Sequence, residues 1–410
     1  MTLAEPAKRG VILLGGTGSA LSAARSLHEW GVPVIVLGNR SDTVRVSRSC
    51  SAFIDLGKGD GVQQRWLSWL SERAGQGEVI LACSDDGLEL LAKHRKELVM
   101  AGYRPGESRD DVLTTMLDKE KTYELARRHG IPCPVTVPIR TDEDIDVALA
   151  TVPFPCAVKP LQSHLFARHF SNKLLVAQDA ASLRDHLQVV RSLGLDVLVT
   201  EIIPGTDDSF VSYYSYLDES GAPLFHFTKR KIRGYPVHFG LWCYQITEWD
   251  KAAAELGLRF FQSAGLLGVG NVEFKKDARD GTLKLIECNH RFTAANELVR
   301  RSGVDVVRLA YARAIGVDYR IAGFREGMRM WHPVEDLAAM VAYRRHGELT
   351  VHAWLASLMH RQIFPSFRIS DPLPSLTSWL TIPRRFLSWS SAPRSSTVAR
   401  PVESQSAQPV

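Results

Sequence analysis

Apolar residues in the first hundred positions fall into short runs, each followed by a stretch in which they recur every three or four residues. "VILLGG" predicts a buried strand and "SALSAARSLHEWG" a helix with Leu21, Ala24 and Leu27 along one side, stopped by Gly31. "VPVIVLG" predicts a second strand, and "EVILACSDDGLELLAKHRKEL" a further strand running into a helix. Strands alternating with helices imply a parallel sheet with helices on its faces.

From about residue 110 the pattern changes. "DKEKTYELARRHGIPCP" predicts a helix ended by Gly130 and then Pro132, followed by the short strands "PCAVKP", "LLVA" and "VLVTEII". Longer strands of antiparallel character follow around 210–232, then a helix near 250–264 and a hairpin, so this middle region reads as α+β. Past about 325, "VEDLAAMVAYRRHG" and "TVHAWLASLMHRQ" predict helices. Residues 391–410, rich in Ser, Pro and Ala, predict a disordered tail. There is no internal repeat.

The hairpin carries the candidate chemistry. "NVEFKKDARDGTLKLIECN" predicts two strands around an Asp280-Gly281 turn. Centred there, it puts Glu273 opposite Glu287 on one face, with Asn289 and Arg291 next along that face. Two carboxylates about 5 Å apart repel by roughly 3 kcal/mol at an effective dielectric of 20. A bound Mg²⁺ reverses that sign, because it takes hard oxygen ligands, and Asn289 adds a third oxygen. Two solvated acids with the register shifted by a bulge is the alternative. Arg291 favours the metal, since a cation beside it suits an anion that also touches the ion. Ile286, Cys288 and His290 fall on the opposite face.

Composition adds little. The chain has 410 residues, 45% hydrophobic and 23% charged, with a net charge of +5, which is a weak argument for nucleic acid. Six cysteines include no CxxC pair, which predicts reduced thiols and neither a disulfide framework nor a zinc site. "MTLAEPAKRG" lacks the apolar core of a signal peptide, and no apolar run reaches the ~18 residues of a membrane span, so a cytoplasmic protein without a transmembrane segment is expected.

"VEFKKD…GTLKLIECNHRF" resembles the metal-binding hairpin of the ATP-grasp superfamily, an acid followed by E-x-N-x-R. The resemblance covers roughly residues 10–325 and is closest to the carboxylate–amine ligase-like group, which includes D-aspartate ligase-type enzymes. It implies a Rossmann-like pre-ATP-grasp domain over 1–110 and an ATP-grasp domain over 111–325, with nucleotide between subdomains at about 111–200 and 201–325. A mainly helical region over 326–390 then precedes the tail. It also implies ATP with Mg²⁺ or Mn²⁺, two ions in all, small-molecule carboxylate and amine substrates such as amino acids, and no nucleic-acid partner; a homodimer is compatible with it.

Residue by residue, the resemblance makes Glu273, Glu287 and Asn289 the metal ligands and Arg291 the cation facing the γ-phosphate or an acyl phosphate. Lys119 and Lys159 match the two phosphate-binding lysines. Glu201, in "VTEIIPGTDD", would accept from the adenine amino group, and Asp207 or Asp208 would take the ribose. In "FTKRKIRGYP", Lys231 and Arg233 would point at phosphate and acceptor carboxylate. In the first domain, Gly16, Gly18, Ser84 and Asp85 would touch the acceptor substrate.

The implied reaction is ATP-dependent amide or peptide bond formation through an acyl phosphate, releasing ADP. One departure stands out: the stretch "LQSHLFARHFSNK" has no glycine where many of these enzymes carry a glycine-rich flap, leaving the flap's work to side chains such as His164, Arg168 or Lys173. Three rivals remain: a bicarbonate-activating enzyme, a non-catalytic nucleotide-binding protein and an NAD(P)-dependent oxidoreductase. "GGTGSA" lacks the third glycine of a dinucleotide fingerprint, and "VIVLGNR" lacks the acid that binds an NAD ribose. "WLTIPRRFLSW" is expected to pack back on the body.

Overall fold

The computed structural model describes residues 9–161, 166, 169–170 and 174–380. His164, Arg168 and Lys173, the "TIPRRFLSW" stretch and the tail lie outside the described residues.

The N-terminal segment is a five-stranded parallel sheet of β1 (Val11–Leu14), β2 (Val34–Gly38), β3 (Ala52–Asp55), β4 (Val79–Ala82) and β5 (Arg104–Pro105), in the order β3-β2-β1-β4-β5. β1 and β4 are buried along their whole length, as expected of strands covered on both faces. Leu21, Ala24 and Leu27 of the helix Gly18–Glu29 pack on one face, and Leu88, Leu90 and Leu91 of the helix Asp85–Met100 on the other. β3 and the helix Val62–Arg73 were not singled out from the sequence.

A second sheet holds β6 (Thr136–Ile139), β7 (Cys156–Pro160), β8 (Leu175–Ala177) and β9 (Val197–Glu201), all antiparallel, in the order β6-β9-β7-β8. The third and largest has seven strands. These are β10 (Phe210–Leu217), β11 (Phe227–Tyr235), β12 (Leu241–Thr247), β13 (Gly268–Lys276), β14 (Leu283–Asn289), β15 (Arg329–Trp331) and β16 (Gln362–Ile363). Their order is β14-β13-β10-β11-β12-β15-β16. The last two strands come from the region expected to be mainly helical.

One face of this sheet is apolar: Val211, Tyr213, Val272, Phe274 and Leu285 pack on Phe260 and Phe261 of the helix Lys251–Ala264. The contact is close. A Cβ on Gly257 would lie 2.4 Å from the Tyr213 ring, so only glycine fits there. The other face is polar and carries Glu273, Ser212 and Lys229. Among the described residues no helix is long and apolar enough to cross a membrane, and all six cysteines are free.

Candidate active site

The hairpin register places Glu273 directly opposite Glu287 and Asn271 opposite Asn289. It contains a bulge as well: after the Glu273–Glu287 pair the ladder resumes at Phe274–Leu285, leaving Ile286 as the extra residue. Strict alternation would put Leu285 on the same face as Glu287. The bulge lets Leu285 enter the core while Glu287 stays exposed at the cleft. The Tyr123 hydroxyl donates to the freed Ile286 carbonyl at 2.7 Å, which fixes the kink. A bulge is present, as the alternative reading expected, but it lies beyond the pair and leaves the two acids in register.

Across the sheet the acids continue into a row. Ser212 of β10 pairs with Glu273 on one side and with Lys229 of β11 on the other. The Ser212 hydroxyl is buried and has no hydrogen-bond partner among the described residues. Lys229 is 2% exposed, with its ammonium 3.4 Å from the centre of the Trp242 ring. Burial pushes its pKa down to about 7, against the pull of Glu273. Lys229 is a residue the sequence reading missed. The signal lies in strand pairing, since only the β13–β10–β11 register aligns it with Glu273.

Lys159, next to last in β7, is half-buried. Burial lowers its pKa to about 8, Lys119 lowers it further and Glu287 opposes, so the three charges sit within electrostatic reach. Lys119 opens the helix Lys119–Arg128, which is capped by Asp118 through the Glu120 and Lys121 amides. A cleft beside the hairpin is lined by Asp85, Lys119, Tyr123, Glu287, Asn289 and His290. His290 is 3% exposed, and burial holds its pKa down to about 4, so it is neutral.

Arg291 leaves the strand end and grips Asp85, with Nε–Oδ1 at 2.5 Å and Nη2–Oδ2 at 3.2 Å. Burial works against its charge, but Asp85 and Glu287 more than offset this, and its pKa is raised. Asp85 follows β4, and the Gly15–Gly18 turn follows β1. These are the adjacent strands at which the parallel order reverses, where α/β sheets open a crevice at their carboxyl ends. Ser84 caps the helix Asp85–Met100 by accepting from Gly87 N at 3.2 Å. Gly16 is a packing requirement, since its Cβ would lie 2.0 Å from an Asp42 oxygen, whereas Gly18 faces open space.

Four expected contacts are corrected. Both Glu201 oxygens are engaged, by Arg279, by Lys284 at 3.4–3.5 Å and by the Val135 amide at 3.1 Å, which leaves the carboxylate a structural counter-ion rather than an adenine acceptor. Asp207 is 4% exposed and pairs with Lys231 Nζ at 2.9 Å, so each is engaged by the other. Asp208, by contrast, is exposed, with Arg230 4.0 Å away. Arg233 points away from the cleft and grips the buried Asp336 through two bonds of 2.7 and 2.9 Å. β11 has register shifts on both sides of Arg233, and simple alternation fails there.

The donor set suits a hard divalent cation. Two carboxylates face each other and an amide oxygen stands next along the edge, beside lysines whose charge is under-compensated. No group of three His, Cys, Asp or Glu side chains fit to hold a metal occurs among the described residues, so phosphate oxygens or water would have to complete the shell.

No protein-family model matches the chain. It is 23% identical over 248 residues to the D-aspartate ligase of Enterococcus faecium, covering 56% of this chain and 57% of that protein. It is 25% identical over 234 residues to the D-alanine–D-alanine ligase of Chromohalobacter salexigens, covering 50% of this chain and 69% of the relative. The chain thus spans little more than half the length of the first of these. The ADP complex of purK, N5-carboxyaminoimidazole ribonucleotide synthetase, superposes with a TM-score of 0.62 at 13% identity, over 78% of this chain and 80% of that one. The chain thus shares the fold of that synthetase, and the hairpin with its facing acids lies within the shared fold. In sequence it is similar to these two ligases, at 23% and 25% identity.

Proposed function

We propose that the protein is an ATP-dependent carboxylate–amine ligase. A carboxylate oxygen of one substrate attacks the γ-phosphorus of ATP and ADP leaves. The amine of a second substrate then attacks the acyl carbon, and phosphate leaves as the amide or peptide bond forms. The observation that carries this reading is the in-register pairing of Glu273 with Glu287 beside the desolvated lysines Lys159 and Lys229, a concentration of charge of both signs suited to a metal-bound polyphosphate.

In this reading Glu273, Glu287 and Asn289 hold Mg²⁺, or Mn²⁺ in its place, as two ions. The metal supplies charge neutralisation between the phosphate groups. Lys119, Lys159 and Lys229 contact phosphate oxygens, and nucleotide binding relieves the desolvation of the last two. Asp208 takes the ribose. Arg291 orients the acyl phosphate, while Asp85, Ser84 and Gly18 border the acceptor's crevice. The work is positioning and charge neutralisation, and no side chain need act as a nucleophile. Residues 1–110 form the acceptor domain, 111–325 the nucleotide domain with ATP between about 111–200 and 201–325, and 326–390 the C-terminal region. The substrates are small molecules, amino acids first among them, and we place the enzyme in the cytoplasm as a homodimer.

The test is an ADP-release screen over carboxylate and amine libraries with Mg²⁺. The reading requires ADP, not AMP, stimulated by an amino acid and abolished in Glu287→Ala and Lys159→Ala. Release stimulated by bicarbonate alone would move the protein to the carboxylating branch. ATP binding without release would make it a nucleotide-binding protein, and NADH binding without ATP binding would end the assignment.

A further inference from the structure

β11 presents three cations at alternate positions, Lys229, Lys231 and Arg233, all buried, at 2%, 1% and 5% exposure. Two of them are neutralised by carboxylates that lie outside the cleft. Lys231 pairs with Asp207, which also accepts from the His238 amide at 3.0 Å and from the Tyr343 hydroxyl. That same hydroxyl accepts from Gly234 N at 3.2 Å, so Tyr343 joins Asp207 to the β11 backbone. A Cβ at residue 234 would lie 2.6 Å from Lys231 Cε, so a glycine there lets Lys231 fold back toward Asp207.

Arg233 is held by Asp336, whose carboxylate is fully buried. The indole N–H groups of Trp331 at 2.9 Å and Trp354 at 2.8 Å also donate to Asp336, and the Cys243 thiol lies at 3.6 Å. This one carboxylate gathers β11, β12, β15 and the helix Val351–Leu358. Asp336 and Tyr343 both belong to the helix Pro333–Arg345, and both act on β11 just beyond Lys229. Lys229 itself projects from the same strand, its ammonium over the Trp242 ring and under the pull of Glu273, so where β11 lies decides where that ammonium stands.

We infer that Asp336 and Tyr343 are positioning residues for the phosphate-contacting strand: the C-terminal helix fixes β11 through Arg233 and through Asp207–Lys231, and so sets where the Lys229 ammonium stands. The inference rests on the nucleotide reading above. A buried ion pair placed only for stability would be replaceable by apolar residues at little cost, and breaking it would loosen every part of the site alike. A positioning pair has a narrower signature, confined to the phosphate end of the nucleotide.

The experiment uses the full chain with two probes, Mg-ATP by calorimetry and adenosine by ligand-observed NMR. Tyr343→Phe is the main variant, because it removes one hydroxyl and keeps the ring. Asp336→Asn is the second, and near-ultraviolet circular dichroism verifies the fold of each. Tyr343→Phe is expected to weaken Mg-ATP binding about five- to tenfold, the scale of one ordinary hydrogen bond, with adenosine affinity unchanged. Lys229→Met is expected to give the same selective loss, and Lys229→Met/Tyr343→Phe no further loss, as for two residues acting in one unit. Equal losses for both probes, no loss for Mg-ATP, or additive losses in the double variant would overturn the inference while the nucleotide reading stands. If wild-type protein binds no Mg-ATP, that reading fails first and takes this inference with it.

Discussion

Glu287 and His290 sit three positions apart and illustrate opposite uses of charge. Glu287 is exposed and faces a second carboxylate, a repulsion that its attraction to Lys159 and Arg291 offsets in a metal-free protein. With repulsion and attraction opposed, Glu287→Gln should shift stability in EDTA by less than ~1 kcal/mol, while ADP release falls roughly a hundredfold or more. Thermal melts and the ADP assay check the two halves separately. His290 is buried, and its pKa is lowered to about 4 by burial. Its unfolded form takes up a proton near pH 6.5 and its folded form only near 4, so between these values the unfolded state binds more protons. Stability is then lost as pH falls through that window. His290→Phe should flatten this part of the urea-melt pH profile relative to wild type.

At the level of elements, the hairpin turn is a lock. Asp277 is fully buried and binds Arg279 and Lys284, which also bind Glu201 at the end of β9. Hydrogen bonds from Arg279 hold the Asp277 carboxyl far below its usual range against the cost of burial. This network ties the four-stranded sheet to the strand pair bearing Glu273 and Glu287. Lys284→Ala, which leaves Arg279 to serve two carboxylates, should cost about 1–3 kcal/mol in a urea melt. The network also marks what is legible at this scale. Glu201 has its place in the series of motifs, but its partners come from a turn almost eighty residues away, and no local pattern reveals them. Likewise the alternation K-x-K-x-R was readable in "FTKRKIRGYP", yet which cation serves the site depended on the register of three strands.

At the scale of the whole molecule, the Asp85–Arg291 pair links the crevice of the N-terminal sheet to the end of the hairpin, 206 positions apart in sequence. The Asp85 side chain is 63% exposed, so the pair contributes little to stability. Asp85→Asn should shift the unfolding free energy by less than ~1 kcal/mol and lower substrate-stimulated ADP release at least about tenfold. A loss of several kcal/mol with normal release would make the pair structural instead. The C-terminal segment also belongs to this scale. Its strands β15 and β16 extend the large sheet, and Asp371 accepts from Arg25 at 2.9 Å and Ser47 at 2.7 Å on the N-terminal segment, so the two ends of the described chain are joined.

The sequence by itself determined the alternating strands and helices of the first segment, the hairpin turn and the opposition of Glu273 and Glu287. Each depends on residues close in the chain, where apolar periodicity and a turn dipeptide suffice. Tertiary structure alone decided that Ile286 bulges so that Leu285 and Glu287 part ways, and that Lys229 aligns with the acids. It also decided that Glu201, Asp207, Lys231 and Arg233 are spent on buried ion pairs. A buried charge must find its counter-charge wherever the fold brings one, and the partners here come from distant strands, turns and helices. Local pattern can place a charge on a face; what that face meets is settled only by packing.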